Sequence, residues 1–152
     1  MARRWASCAP ASGATDAAGW IGLTDFSSAL GVAASGMRSQ AQRLQHVSEN
    51  IANADTPGYR RKVAAFEAER GPDAAPGAVR PGPVSLDQRD LPRVFDPGHP
   101  MADDSGHYLG SNVDLVVELA DAREAQRSYE ANLRVFDQLR QMSTSLNELL
   151  RR

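Results

Sequence analysis

A mainly α fold is predicted, with long N- and C-terminal helices packed as an antiparallel coiled-coil-like pair and a small β-rich or irregular segment between them. Three observations lead there. Apolar residues repeat in heptads from Phe26 to Ile51, and a second apolar stripe runs from Leu115 to Leu149. Between the two stripes lie seven of the nine prolines, from Pro72 to Pro100. Each proline removes a backbone donor and restricts the residue before it, so a long helix is excluded there.

The first helix is defined by spacing. Leu30, Met37, Leu44 and Ile51 are seven apart, and Phe26, Ala33 and Val47 fill the second seam position, with Gln40 as the one break. Alternating steps of three and four put these residues on one stripe of a helix of about 30 residues, about 45 Å long. Arg38, Gln42, Arg43 and Glu49 fall on the opposite face. Gly31 and Gly36 weaken a helix but admit a close neighbour, and close packing is the preferred reading of both.

The helix is predicted to stop at Asn53-Ala54-Asp55-Thr56-Pro57-Gly58-Tyr59. Pro57 pushes Thr56 out of the α region and Gly58 accepts a positive φ, the combination that a type II turn requires. Beyond it, residues 60–69 read as extended, anchored by Val63 and Phe66. Residues 83–87 and 91–95 read as a short hairpin.

The second helix opens near Ser111 or Asn112, either of which can cap it, with Asp114 placed against the positive end of the helix dipole. Leu115, Leu119, Ala122, Gln126, Tyr129, Leu133 and Phe136 trace one stripe, continued by Leu139, Met142, Leu146 and Leu149. Two steps of three after Phe136 make the seam drift. The predicted packing seam is therefore Leu30, Met37, Leu44 and Ile51 against Leu115, Leu119, Leu133 and Phe136. The predicted division is a leader over 1–23, disordered or mis-annotated, an N-terminal helix over 24–55, a central segment over 56–111 and a C-terminal helix over 112–152. Two helices alone leave apolar surface over, and other chains are expected to cover it.

Composition narrows the function. The net charge of -2 offers no general attraction to phosphates, and 6% aromatic residues leave cohesion to helix seams. The one cysteine, Cys8, has no internal partner for a disulfide. No apolar run is long enough to cross a bilayer, and Arg3-Arg4 is followed by no signal-peptide core. Residues 1–22 are expected to come from translation upstream of the true start, near Leu23.

Three features admit both a sharper and a plainer reading. His99, Asp103, Asp104 and His107 contain metal-ligand types, but polar turns use the same residues and that reading is preferred. His46 reads as an edge residue of the first helix. Arg60-Arg61-Lys62 reads as a solvated turn or a subunit contact rather than a nucleic-acid patch, since three charges are a weak signal. No Ser lies in a nucleophile elbow. Neither enzymatic activity, nor a cofactor, nor a small-molecule substrate is indicated.

The runs Ala33-Ala34-Ser35-Gly36-Met37 and Glu49-Asn50-Ile51-Ala52-Asn53-Ala54-Asp55-Thr56-Pro57-Gly58-Tyr59-Arg60-Arg61-Lys62 resemble the N-terminal motif of bacterial flagellar axial proteins. Asp96-Pro97-Gly98-His99-Pro100, Asn112-Val113 and Glu124-Ala125-Gln126-Arg127-Ser128-Tyr129-Glu130-Ala131-Asn132 point to the small proximal-rod members. The resemblance covers residues 26–150. It implies a basal-body rod subunit that assembles with other rod subunits, copies of itself, the basal-body base and the export apparatus. It also implies a torque-transmitting shaft crossing the periplasm, reached by type III export without a cleaved signal. On the family's assembly motif fall Asn53, Thr56, Pro57, Gly58 and Tyr59 at the turn, and Arg127, Tyr129 and Asn132 on the second helix. A cytoplasmic helical adaptor is the competing class, and it has no reason to combine that turn with that C-terminal motif.

Overall fold

Two helices of 36 residues each, α1 (Ala17–Ala52) and α2 (Leu115–Leu150), frame the chain. The computed structural model describes residues 17–71 and 74–151, so the readings made for residues 1–16, Cys8 and the arginine pair included, lie outside it. Helix α1 begins at Ala17 rather than near Thr24. Small residues suggested a leader, but alanine is the best helix former and no proline interrupts residues 17–23. The helix ends as foreseen. Gly58 takes φ +73° and the Tyr59 amide donates to the Thr56 carbonyl at 3.2 Å, closing the turn. The cap of α2 is Asp114 itself, whose carboxylate accepts from the Val116 and Val117 amides. Ser111 and Asn112 are used elsewhere.

Among the described residues the middle holds four strands: β1 (Lys62–Ala68), β2 (Val79–Leu86), β3 (Arg93–Phe95) and β4 (His107–Leu109). They form two separate antiparallel ladders, β1 with β2 and β3 with β4. The predicted hairpin of residues 83–87 with 91–95 is therefore absent. Strand β1 offers β2 a ladder from Lys62↔Leu86 to Ala68↔Val79. The three residues of β3 can match only the equally short β4. The β1–β2 register slips at Ala65, opposite Gly82, where a Cβ would stand 2.9 Å from the Ala65 carbonyl oxygen. Glycine is what allows the backbones to meet at this bulge.

The β1–β2 hairpin lies along α1 and is pinned at both ends by side chains that imitate a neighbouring strand. At one end the Val79 amide donates to Ser35 Oγ at 3.1 Å, and Ser39 Oγ donates to the Val79 carbonyl at 3.4 Å. At the other, the Asn50 carboxamide accepts from the Lys62 amide at 2.8 Å and donates to the Lys62 carbonyl at 3.0 Å. Another face of α1 meets α2, through Gly36 beside Asn132, Arg43 beside Asp121 and Asn50 beside Glu118.

Among the described residues the buried ones are few and mostly small: Ala33, Val47, Ala78 and Ala125, with polar Ser35, Ser39, Asn50 and Glu118. On α1 the column Gly36, Arg43, Asn50 touches α2, and Ala33, Gln40, Val47 complete its heptad. On α2 the matching column is Glu118, Ala125, Asn132. Relative to the predicted seam, the contact column is rotated back by one residue on both helices. Arg43, assigned to the outer face, points inward to Asp121. Gly36 is in close contact, whereas among the described residues nothing lies within 4 Å of a Cβ at Gly31.

Candidate functional site

The residues most tightly tied together sit where α1 ends, the turn reverses the chain, β1 starts and α2 begins. Glu118 is 0% exposed, and its carboxylate accepts from Arg61 Nε and, at 3.2 Å, from Asn50 Nδ2. The other branch of the Arg61 guanidinium pairs with Asp121 at 2.6 Å, and Arg43 pairs with the second oxygen of Asp121 at 3.0 Å. Burial pulls the Arg61 guanidinium down, but the hydrogen bond and charge of Glu118, followed by Asp121, hold it above its ordinary value. The two cations and two carboxylates neutralise one another. Their hydrogen bonds fix three chain segments, α1, the entry to β1 and the start of α2, in one arrangement.

Asn50 is the hub. Besides bridging Lys62 and Glu118, its Oδ1 accepts from the Tyr59 hydroxyl at 3.1 Å, and burial pushes the Tyr59 phenol upward. The segment before α2 is stitched to the same turn. Asn112 Oδ1 accepts from the Arg61 amide at 2.7 Å, and the Gly58 amide donates to the Leu109 carbonyl at 2.9 Å. At the rim Lys62 Nζ lies 2.9 Å from Glu49, which keeps the Glu49 carboxyl below its usual range.

The motif residues divide between two places. Asn53 bonds the Glu49 carbonyl at 2.8 Å and accepts from Thr56 Oγ1 at 3.3 Å, ending α1. With Pro57, Gly58 and Tyr59 these residues build the turn. Arg127 is exposed, Tyr129 is half-buried, and Asn132 sits against Gly36, apart from the turn. Sequence reasoning missed Asn50, Arg61, Glu118 and Asp121. A faint signal existed in Glu118, a carboxylate seven residues before Ala125 on a helix with apolar neighbours. Arg61 is neither solvated nor a free basic patch.

The predicted seam lies beside the contact. Leu30, Met37, Leu44 and Phe136 are half-buried, while Ile51, Leu115, Leu119 and Leu133 are exposed, Leu115 by 52% and Leu119 by 49%. Farther along α2, Met142, Leu146 and Leu149 are exposed as well. The loop cluster serves its own turn. Asp103 accepts from Ser105 Oγ at 2.6 Å and the His107 amide at 3.0 Å and pairs with Arg93 at 2.9 Å, while His99 stacks on Tyr108 at 4.2 Å. His46 lies 3.6 Å from Glu49, at the edge of the polar cluster.

These contacts combine hydrogen bonds and ion pairs within a frame of long helices with apolar flanks, the equipment of a building unit. Among the described residues no helix is long and apolar enough to cross a membrane. Two family models match: "Flagella basal body rod protein" over residues 30–60 and "Flagellar basal body rod FlgEFG protein C-terminal" over residues 104–149. Between them they include all of the residues of the polar cluster except Arg61 and Lys62, and of the four strands only β4. The chain is 42% identical to "Flagellar basal-body rod protein FlgC" of Agrobacterium fabrum over 136 residues, covering 85% of this chain and 98% of that one. It is 36% identical to the protein of the same name from Escherichia coli O6:H1, covering 73% and 87% of the two chains. With that of Aquifex aeolicus it shares 34% identity over 75% and 89%. A chain this similar along nearly the whole length of such proteins belongs to the flagellar basal-body rod protein FlgC family, structural rod subunits and not enzymes.

Proposed function

We propose that the chain is a proximal-rod subunit whose terminal helices close as an antiparallel coiled-coil-like pair and whose apolar flanks are covered by neighbouring rod subunits and by copies of itself. The division of labour follows the chain: residues 24–55 and 112–152 build the shaft, and residues 56–111 form a small appendage. One observation carries the reading. Most large apolar residues of α2, and Ile51 of α1, stand exposed beside the intramolecular contact rather than in it, with Leu133 41% and Leu149 68% exposed. Contiguous apolar surface of this kind marks a site of association. The shaft would cross the periplasm, transmit torque, and receive its subunits from the export apparatus without cleavage of a signal. Contacts with the basal-body base belong to the same reading, and nucleic acid and small-molecule substrates have no part in it.

The short central segment favours this role over that of longer hook-type or distal-rod chains. A cytoplasmic adaptor is disfavoured by the family. The experiment replaces Leu119 or Leu133 by Asp in cells that carry this chain as their only copy. Both positions are exposed in the single chain, so folding should survive while swimming and recovery of the protein in purified basal bodies are lost. Normal swimming and normal incorporation with both substitutions would refute the covered-flank reading.

A further inference from the structure

The face through which α1 meets α2 is not the most apolar one available. Leu44 and Leu133 lie one residue away on their helices, yet the residues that meet are Gly36, Arg43 and Asn50 on α1 and Asn132, Asp121 and Glu118 on α2, with Gln40 between Gly36 and Arg43 along α1. Gln40 Oε1 is buried with no hydrogen-bond partner among the described residues. Asn132 fills the notch left by Gly36, where a Cβ would stand 2.8 Å from its Nδ2 and 3.1 Å from its Cγ. An orphaned buried amide oxygen and a glycine inside a helix both cost stability relative to apolar residues at the same positions. An apolar stripe accepts almost any other apolar stripe at almost any register, whereas a notch filled by one amide matches a single register.

We propose that Gln40 and the Gly36–Asn132 notch are a pairing code, which directs each long helix to its partner within the same chain and leaves the apolar flanks to neighbouring subunits. The inference rests on the covered-flank reading for what the flanks do, but the code is a property of the single chain. Identical helices crowded in an assembly can exchange partners, and exchange of an element between protomers is the characteristic error. Polar residues in a seam guard against it by making slipped or exchanged pairings worse than the native one.

The test uses the full-length chain with Gln40→Met, Asn132→Leu, and both together, substitutions that keep length or branching while removing polarity. Helicity by circular dichroism and thermal midpoint are measured first. Self-association is then followed by sedimentation, and exchange by energy transfer between two separately labelled pools. The expected result is an unchanged or higher midpoint together with self-association at least about tenfold tighter than wild type, a shift of about 1.4 kcal/mol, and energy transfer between the pools. A folded double variant that associates and exchanges no more than wild type overturns the proposal. So does a variant that is less stable without added association, since ordinary packing would explain it. If Asn132→Leu overfills its notch and does not fold, Gln40→Met decides alone by the same criteria. Because no rod is needed, failure here is distinct from failure of the covered-flank reading, which is judged in cells with the Leu119 and Leu133 variants.

Discussion

Replacing Arg61 by Met removes the guanidinium and leaves the rest of the polar cluster in place, which makes the cost calculable. Glu118 is fully buried and would keep only Asn50 Nδ2, at 3.2 Å. Asp121 fares better, because Arg43 stays 3.0 Å away and its side chain is 26% exposed. The loss is therefore concentrated on one stranded carboxylate, and breaking a buried pair in this way costs about 3–5 kcal/mol. Against a total of about 5–15 kcal/mol for an ordinary domain, that is a large share. For a chain of this size the thermal midpoint should fall by roughly 6–20 °C, taking about 2–4 °C per kcal/mol. Converting both residues, Arg61→Met with Glu118→Met, should recover most of the loss, since an apolar pair of similar volume is often as stable as the ion pair. Urea denaturation of the two single variants, the double variant and wild type gives the coupling directly. A cost below about 1 kcal/mol for Arg61→Met would place the pair with exposed surface ion pairs and refute the reasoning.

Gly58→Ala tests the turn. Among the described residues a Cβ there meets nothing within 4 Å, so the penalty is backbone strain at φ +73°, about 1–2 kcal/mol by denaturant midpoint, and Gly58→Asn should cost less. The loop offers a pH test at Asp103, held down to about 2 by the Ser105 hydroxyl, the His107 amide and Arg93. With the folded value below the unfolded 3.8, the stabilisation is complete above pH 3.8 and is lost as pH falls through about 2. Carboxyl carbon shifts of Asp103 followed by NMR should titrate near that value, and an ordinary midpoint near 3.8 would show that the loop contacts do not persist in solution.

The helices, their period and the turn between Asn53 and Tyr59 are legible because each is a local property. Heptad spacing identifies a stripe within a single helix, and a proline followed by a glycine specifies its turn within four residues. The phase of the contact is another matter. Choosing the most apolar column, Leu30 to Ile51, selects what is sticky, whereas intramolecular contact is made by the column that allows closest approach, with Gly36 on α1 and the fully buried Ala125 on α2. The polar cluster is harder still. Arg61 and Glu118 are 57 residues apart, and Asn50 and Glu118 are 68 apart, so nothing near either residue announces the pairing. The strand pairing is hidden for the same reason, since the extended stretch nearest to β2 along the chain is β3, while its true partner, β1, lies across a connection that begins at Glu69.

The hairpin is attached in a way that bears on any load it carries. A turn built on Pro57 and Gly58 would by itself be a hinge, leaving residues 62–86 free to swing about the end of α1. Two pins prevent that, at Ser35 with Ser39 and at Asn50. They are 11 to 15 residues apart on α1, which is about 16–22 Å along the helix axis. One pin leaves a rotation free, and two separated pins remove it. The contact of Arg61 with Glu118 and Asp121 then fixes the start of α2 to the same unit, so α1, the hairpin and the opening turns of α2 move together. In a shaft of the proposed kind, a force on the appendage enters α1 at two points and α2 at a third, rather than flexing the turn. This gives the buried ion pair a purpose that stability alone would not require, because an apolar pair would hold the segments together without fixing their angles.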